Sequence, residues 1–467
     1  MKDLYFLNSV RTDLKKTHKK KTSEQVRTKA PLCAILLCLS TLISGCSMKD
    51  VEEFAQDVYK GAGVLEKEVE GILEDVAGSS SSTYDTITGS SDIYEDIIGG
   101  STSDYPTKEM QDDWDSIGLS DDAILSVQGD QAGLYYYEQL DDDEQELYAQ
   151  ILYILSNQAE EIYITTTDMD VVEKVQQCVL NDHPEIFYVE GYLMKRFMSS
   201  ENDEVKALTY GGKYTLSSEE IADRMSRLEA AASSIIEGMP STTDEYEIVK
   251  YFYDYIILNT EYEVGSVDNQ NICSVLLNKK SVCQGYAKTL QYLLQKVGIT
   301  CEMVSGTVNN TQTTSSHAWN LVKVNGSWYY VDPTWGDASF TGSVPGDTEV
   351  VNYAYLCVTT EDLSVTHKIN EVVKMPECTS TSDNYFVRQN ALFDVLDYAK
   401  LSNLFENAIS SGSSFVTFKC SDSEVYNEMK NYLFSDNGGG IFEYLPSDAT
   451  RAVYLSQDTT MTFIIWL

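Results

Sequence analysis

The stretch "SVCQGYAKTLQYLLQKVG", residues 281–298, is predicted to form one helix that begins at a cysteine. Apolar residues recur along it at helical spacing, and its final glycine is a typical stop signal. Ser281 and Gln284 have the spacing of a capping box, which places Cys283 in the first turn. Amides of the first turn have no intrahelical acceptor and the helix dipole is positive there, so a thiolate is favoured at this position.

A buried, unreactive cysteine fits the same stretch equally well, because cysteine is commonly buried. Gly285 lacks a side chain and would let another backbone approach the first turn closely. Only a base within reach distinguishes a nucleophile from a small apolar residue.

The candidate bases are four histidines. His18 lies in a basic leader, and His183 precedes a proline in a predicted turn, which indicates a structural role. His367 closes a later segment and is also interpreted as structural. His317 lies in "SSHAWNLVKVNGSWYYVDPTWGD", residues 315–337, and is the strongest candidate.

The Asn325-Gly326 pair between two strand-like runs predicts a hairpin with a two-residue type I′ turn. In that register Trp319 pairs with Asp332 across the hairpin. His317 shares their face, since residues two apart in a strand point the same way. His317 and Asp332 would then be diagonal neighbours. An ordinary surface hairpin remains the alternative for the pair alone, but its occurrence together with the helix-start cysteine favours a catalytic site.

Three segments resemble the motif blocks of the transglutaminase-like superfamily, in its bacterial secreted branch. The resemblance covers about residues 245–337, and the segment after it is similar to the usual continuation of that branch. The blocks are "YDYIILNTEYE" (253–263), "SVCQGYAKTLQYLLQKVGI" (281–299) and "SHAWNLVKVNGSWYYVDPTWGD" (316–337), followed by "NYAYLCVTTEDLSVTH" (352–367).

This resemblance implies an α+β fold with a papain-like transglutaminase core. N-terminal helices precede a catalytic cysteine at a helix start packed on an antiparallel sheet, with small α+β regions flanking the core. Cys283 would be the nucleophile, His317 the proton carrier and Asp332 the residue that orients the imidazole. Tyr262 and Gln284 are candidates for oxyanion or site support.

The resemblance also bears on a packing residue, on cofactors and on contacts with the substrate. Trp335 is interpreted as a packing residue. No cofactor or metal is expected, and the calcium-binding pattern of the animal cross-linking enzymes is not visible. The segment "GSVDNQNICSVLL" (265–277) lacks a histidine that many relatives carry, so contacts on the substrate side are expected to differ.

The charge is strongly negative, with a formal net charge of -40. The first 30 residues carry nine Lys/Arg and three Asp/Glu, while residues 46–467 carry 24 Lys/Arg and 70 Asp/Glu. Such a chain repels nucleic acid and anionic lipid headgroups, which argues against either as a direct partner. Attraction of cationic substrates is a second interpretation beside simple solubility.

The basic start is followed by the apolar run "APLCAILLCLSTLISGC", which is typical of a secretory signal. Its end resembles a bacterial lipobox, which makes Cys46 the predicted lipid attachment site; an uncleaved signal anchor is the alternative. The predicted organisation is a signal peptide (1–45), a lipidated N-terminus and flexible tether (46–110), an N-terminal α/β region (111–215), the catalytic core (216–376) and a small α+β module (377–467).

Seven of the ten cysteines remain after the signal region and Cys46, scattered without CxxC spacing. They predict neither a zinc site nor a dense disulfide scaffold. An odd number implies at least one unpaired thiol.

The predicted function is a surface-anchored thiol enzyme that hydrolyses peptide or isopeptide amides. Transfer of the acyl group to an amine and a non-catalytic surface binding protein are the alternatives. The expected partner is a protein or peptide, with cell-wall-associated substrates included. The predicted location is the outer face of a bacterial cell membrane, held by the N-terminal lipid alone.

Overall fold

A computed structural model describes residues 107–199, 204–309, 314–337, 350–435, 439–447 and 449–467. The predicted signal peptide, Cys46 and nearly all of the predicted tether lie outside the described residues. In the described part of the chain, no helix is long and apolar enough to cross a membrane. The division into regions at 215 and 376 stays a prediction.

Helices occur throughout the described chain, and most begin at an Asp, Ser, Thr or Asn whose side chain caps the first turn. The acidic run at 141–144 predicts such a cap from its sequence, and the structure has it, because Asp141 and Glu144 form a capping box. The α-helices are α1 (Thr107–Ile117), α2 (Asp121–Gln131), α3 (Asp142–Ser156), α4 (Met169–Asp182), α5 (Ser218–Glu237), α6 (Glu245–Leu258), α7 (Cys283–Lys296), α8 (Pro333–Gly336), α9 (Thr360–Ser364), α10 (Tyr385–Arg388), α11 (Tyr398–Ser411) and α12 (Ser423–Phe434).

The strands form four sheets among the described residues, in the orders β1-β3-β2, β4-β5, β8-β7-β6-β9 and β10-β11-β13-β12. The β8-β7-β6-β9 sheet is antiparallel throughout and carries the candidate site. The strands are β1 (Ile162–Ile164), β2 (Val189–Met198), β3 (Val205–Tyr214), β4 (Glu261–Tyr262), β5 (Lys280–Ser281), β6 (Cys301–Asn309), β7 (Thr314–Val324), β8 (Ser327–Val331), β9 (His367–Ile369), β10 (Leu392–Phe393), β11 (Phe415–Cys420), β12 (Val453–Gln457) and β13 (Thr462–Trp466).

Helix α7 lies inside the fold. Every residue from Gln284 to Leu294 is buried, although the sequence predicted only one apolar face. Polar residues on its other faces have partners: Gln291 Nε2 donates to a backbone carbonyl at the end of α4 at 2.6 Å, and Tyr292 donates to Glu229 on α5 at 2.9 Å. Against the sheet, Asn320 of β7 donates to the Ala287 carbonyl at 2.9 Å. Neighbours on several sides therefore fix the position and direction of α7.

The sequence of the C-terminal region predicts a helix, a strand, a helix and a final strand pair, and the structure has them as α11, β11, α12 and the pair β12 and β13. The sequence also predicts a strand over "GIFEYL", residues 440–445, and this prediction is wrong. Residues Gly440–Glu443 form a 3-10 helix instead, and Gly439 explains the tight approach, because a Cβ there would lie 2.0 Å from the Leu433 carbonyl oxygen. The chain therefore folds back onto the end of α12 rather than extending.

Two buried carboxyl groups meet beside α7. Asp182, at the end of α4, accepts hydrogen bonds from two backbone amides before α3 and from Tyr148 at 2.9 Å. Glu302 on β6 accepts from Gln291 at 3.1 Å and hydrogen-bonds to Asp182. Burial raises the pKa of Glu302 well above its ordinary value, and the nearby charge of Asp182 adds to the rise. Glu302 therefore keeps its proton in the folded protein.

This pair predicts a pH-dependent stability. A carboxyl whose pKa is raised on folding stabilises the fold fully below its unfolded pKa, and this contribution is lost as pH rises through its folded pKa. Glu302→Gln removes the titration and keeps both a donor and an acceptor. We expect urea midpoints, measured from about pH 5 upward, to show that the variant gains stability relative to wild type as pH rises, by at most about 1.4 kcal/mol for each pH unit.

The matched control for this measurement is Glu377→Gln, which changes an exposed carboxyl. We expect its stability difference from wild type to be nearly independent of pH. A Glu302→Gln curve parallel to wild type across this range would contradict a protonated Glu302.

Candidate active site

Cys283 is the first residue of α7, as predicted, but the predicted capping box is wrong. Val282 occupies the cap position and no side chain caps the first turn of α7. The Ser281 hydroxyl instead bonds to the Ser274 hydroxyl at 2.6 Å and donates to the Asn269 carbonyl at 3.0 Å. The Gly285 amide donates to the Val282 carbonyl at 3.0 Å, whereas no side chain caps the Cys283 and Gln284 amides among the described residues, so these two can face a negative charge.

Gly285 is required by the packing beneath the cysteine. A Cβ at this position would lie 2.0 Å from the Ser281 hydroxyl and 2.5 Å from the Ser274 hydroxyl. The same Cβ would lie 3.0 Å from the Asn269 carbonyl oxygen. A backbone group therefore approaches this glycine closely, as predicted, and two serine side chains do so as well.

The hairpin has the predicted register. Asn325 and Gly326 have φ of 49° and 86°, as a type I′ turn requires, and Val324 pairs with Ser327. The ladder continues to the pair formed by Asn320 and Val331, so the next position sets Asp332 at the level of Trp319. His317 Nε2 and Asp332 Oδ2 are 2.8 Å apart.

Asp332 is completely buried and has donors on both oxygens. Its Oδ1 accepts from the amides of Thr334 (2.9 Å) and Trp335 (3.1 Å), so the carboxylate also caps α8. Its Oδ2 lies within hydrogen-bond distance of His317 and of His367, at 2.8 and 3.0 Å. Burial raises the pKa of Asp332, but the charges and hydrogen bonds of the two histidines outweigh burial and bring that pKa well below its ordinary value. The carboxylate is ionised, so both Nε2 atoms must carry the hydrogens.

His367 is the site residue that sequence reasoning missed. It begins β9, which pairs with β6, and its Nδ1 lies 2.7 Å from the Thr366 hydroxyl. Gly306 lets β9 approach, because a Cβ there would lie 2.1 Å from the Lys368 carbonyl oxygen. The position of His367 as the last residue of a family-like segment was the available signal, but the spacing along the chain did not show its contact with Asp332.

Cys283 and His317 are close enough for the thiol to act on the imidazole. Burial lowers the pKa of His317, but the charges of Asp332 and Cys283 and hydrogen bonds to both raise it to about 10. Because Nε2 is engaged by Asp332, Nδ1 is the ring nitrogen left to exchange a proton with Cys283. The arrangement favours an imidazolium at His317 near neutral pH, placed beside the Cys283 sulfur.

Aromatic side chains enclose the two imidazoles. The ring of Trp319 stacks near His317, with centroids 5.9 Å apart, and lies 4.8 Å from His367. Trp335 and Tyr355 lie 4.9 and 5.6 Å from His367. Trp335 therefore has the packing role expected of it, as one of the rings around the buried Asp332 carboxylate. Hydrogen bonds to a carboxylate are stronger in such surroundings than in water.

The two predicted support residues lie beside the nucleophile. Burial raises the pKa of Tyr262, and the charges of Cys283 and Asp332 raise it further, so its phenol stays protonated and can donate. Gln284 is buried directly after Cys283, and its side-chain oxygen has no hydrogen-bond partner among the described residues. His183 lies elsewhere, where its ring bonds to Glu185 at 2.7 Å.

His317, Asp332 and His367 offer ligand atoms within 4.8 Å of one another, a set whose chemistry could suit a divalent metal. Both Nε2 atoms, however, are directed at the same carboxylate oxygen at hydrogen-bond distance. Their arrangement is therefore that of a hydrogen-bonded group around one anion, and we assign no metal to it.

The comparison with known families matches residues 233–333 to the Transglutaminase-like superfamily. This stretch contains Cys283, His317 and Asp332 and ends before His367. The described chain mixes helices and sheets, and its core has the α+β class predicted from the sequence. Similarity to this superfamily supports a thiol enzyme in general. The assignment to its bacterial secreted lipoprotein branch stays a prediction.

Curated relatives are also similar to this chain. Kyphoscoliosis peptidase of Mus musculus is 22% identical over 239 residues, covering 43% of this chain and 36% of the relative. Kyphoscoliosis peptidase of Homo sapiens is 27% identical over 105 residues, covering 20% of this chain and 16% of the relative. The chain thus spans about a third of the length of the mouse relative and about a sixth of the human one.

Solved structures show partial similarity. A crystal structure of a TGase is 15% identical with a TM-score of 0.23, covering 34% of this chain and 53% of that chain. The periplasmic domain of TgpA from Pseudomonas aeruginosa is 14% identical with a TM-score of 0.20, covering 27% of this chain and 54% of that chain.

Cys283 differs from the other described cysteines in exposure and environment. It is partly exposed, whereas the others are buried and burial raises the pKa of each of their thiols: Cys178, Cys273, Cys301, Cys357, Cys378 and Cys420.

This contrast predicts selective labelling. With iodoacetamide near pH 6.5, we expect mass spectrometry of the folded protein to show Cys283 modified at least about tenfold faster than any other described cysteine. His317→Gln should remove most of this difference, because it removes the imidazolium. Equal labelling of all seven described thiols in the wild-type protein would contradict an activated Cys283.

Proposed function

We propose that the protein is a cysteine peptidase or amide hydrolase that acts on peptide or isopeptide amides through a thioester on Cys283. The observation that carries this proposal is the 2.8 Å contact between His317 Nε2 and the fully buried Asp332 Oδ2, with Cys283 beside the same imidazole. A fixed acid, an oriented imidazole and an accessible thiol supply what acyl transfer requires.

Acylation follows from this geometry. The Cys283 thiolate attacks the amide carbon, forming the carbon-sulfur bond, and the carbonyl oxygen takes up the negative charge. The first-turn amides of α7, with support from Tyr262 and the Gln284 side chain, are the proposed donors to this oxyanion. His317 then gives its Nδ1 proton to the amine nitrogen, the carbon-nitrogen bond breaks and the amine leaves.

Deacylation uses the same imidazole in the opposite direction. His317, now neutral, takes a proton from water while the water oxygen attacks the thioester carbon. The carbon-sulfur bond breaks, the thiolate of Cys283 re-forms and the acid product leaves. Asp332 stays ionised throughout and holds His317 in the tautomer that presents Nδ1 to the reacting atoms.

A primary amine could replace water in the second step, giving transfer to an amine. The charge of the chain after residue 45, 24 Lys/Arg against 70 Asp/Glu, favours the approach of amine-rich partners. A non-catalytic binding protein is a weaker alternative, since binding alone does not require Cys283, His317 and Asp332 to be held together.

We also propose that the protein is exported and anchored by a lipid on Cys46, outside the bacterial membrane. The basic start, the apolar run and the "ISGC" sequence support this location. Protein or peptide substrates, including those associated with the cell wall, are the proposed partners, with no role for nucleic acid.

The proposed reaction is tested by offering the protein a peptide library together with a labelled primary amine. We expect new peptide termini without incorporation of the amine, because hydrolysis is the proposed second step. Cys283→Ser should abolish cleavage, and Asp332→Asn should lower it about a thousandfold or more by disrupting the imidazole tautomer.

Two other outcomes decide against hydrolysis. Incorporation of the amine without cleavage would identify a transferase. Neither event, in a folded protein whose Cys283 is labelled selectively, would favour a binding protein.

A further inference from the structure

We propose that His367 is a positioning residue that shares the Asp332 Oδ2 atom with His317 and so limits how tightly the carboxylate holds the proton of His317. This role rests on the proposed thiol chemistry, in which His317 must release its proton to the leaving amine.

The geometry places two donors on one acceptor atom. His317 Nε2 lies 2.8 Å and His367 Nε2 lies 3.0 Å from Asp332 Oδ2. The other carboxylate oxygen is held by two backbone amides, so Asp332 cannot turn to give each histidine its own oxygen. The two imidazoles therefore compete for the same negative charge.

The surroundings of His367 favour its neutral form, with a donor directed at Asp332. The Thr366 hydroxyl, 2.7 Å from Nδ1, can donate its proton there, while Nε2 carries the hydrogen directed at Asp332. Burial and the nearby charge of His317 lower the pKa of His367, and they outweigh the charge and hydrogen bond of Asp332 and the hydrogen bond to the Leu363 carbonyl, which raise it. A second imidazolium 5.6 Å from that of His317 would repel it.

The consequence is a weaker hold on the His317 proton. A hydrogen bond to a carboxylate stabilises its charge and makes it less basic. With His367 in place, Asp332 still orients His317 but attracts its proton less strongly than an unshared oxygen would. The imidazolium thus stays acidic enough to protonate the amine that leaves from Cys283.

Few other ionisable groups face this cluster in the part of the chain that the structure describes. Cys283 from α7 acts on His317, and the charge of Asp332 acts on Tyr253 of α6, Tyr262 of β4 and Tyr355, whose phenols are protonated because burial raises their pKa values. A change in the proton affinity of His317 can therefore be traced to Asp332, Cys283 or His367.

The test uses His367→Gln and His367→Met. The Gln side chain places an amide N–H near the position of Nε2, and the Met side chain has similar length but no donor. The readout is the rate of Cys283 alkylation by iodoacetate, an anion that reacts fastest while His317 carries its charge, so the rate falls on the alkaline side as His317 deprotonates.

We expect His367→Met to raise the midpoint pH of this alkaline decrease in rate by about 0.5 to 1 pH unit. The midpoint for His367→Gln should stay within about 0.2 pH unit of wild type. A purely structural role would lower thermal stability in the Met variant without moving the fall. An unmoved fall or a downward shift in the folded Met variant would overturn the proposal.

A measurement on the unaltered protein keeps the proposal testable if the Met variant does not fold. Nitrogen-15 NMR of the histidine rings should show His367 neutral, with its hydrogen on Nε2, near pH 8. A charged His367, or a hydrogen on Nδ1 alone, would overturn the proposal. Because alkylation needs no substrate, failure to detect amide cleavage would leave this test intact, and a failed test would leave the proposed hydrolysis standing.

Discussion

A buried, ionised Asp332 is the constraint on which the site depends. Removing a carboxylate from water costs several kcal/mol unless its oxygens receive hydrogen bonds. Here the donors come from separate parts of the chain: the first turn of α8, His317 on β7 and His367 on β9. The sheet and the short helix must therefore be in place before the charge can be buried, and once they are, His317 has a fixed tautomer and direction.

Helix α7 supplies the second half of the site. Because it is buried on all sides, α7 holds its first turn at a fixed position against β6 and β7. Ser281 and Ser274 support the turn from below, and Gly285 makes room for them. This support replaces a side-chain cap, so the amides beside Cys283 are not occupied by one. The start of α7 thus lacks the side-chain cap that most helices of this protein have, and packing against neighbouring residues holds the first turn instead.

The sequence predicted what local geometry determines. The Asn325-Gly326 turn fixed the hairpin register, and with it the meeting of His317 and Asp332. The contact of His367 was not predictable, because it depends on β9 pairing with β6 across about 60 residues of chain. The Ser281 cap was mispredicted because its hydroxyl bonds to tertiary partners instead. The burial of the polar residues of α7 was not predictable, because Gln291 bonds to the end of α4, which lies far away in sequence.

We expect Asp332 and His317 to hold Cys283 as a thiolate in the resting protein. The most direct measurement is the ultraviolet thiolate absorbance of wild type minus that of Cys283→Ser, followed from about pH 4 to 10. The account predicts a thiolate signal that is already present near pH 6 and that is lost there in His317→Gln. A difference signal that develops only above about pH 8, as for an ordinary cysteine, would contradict the account.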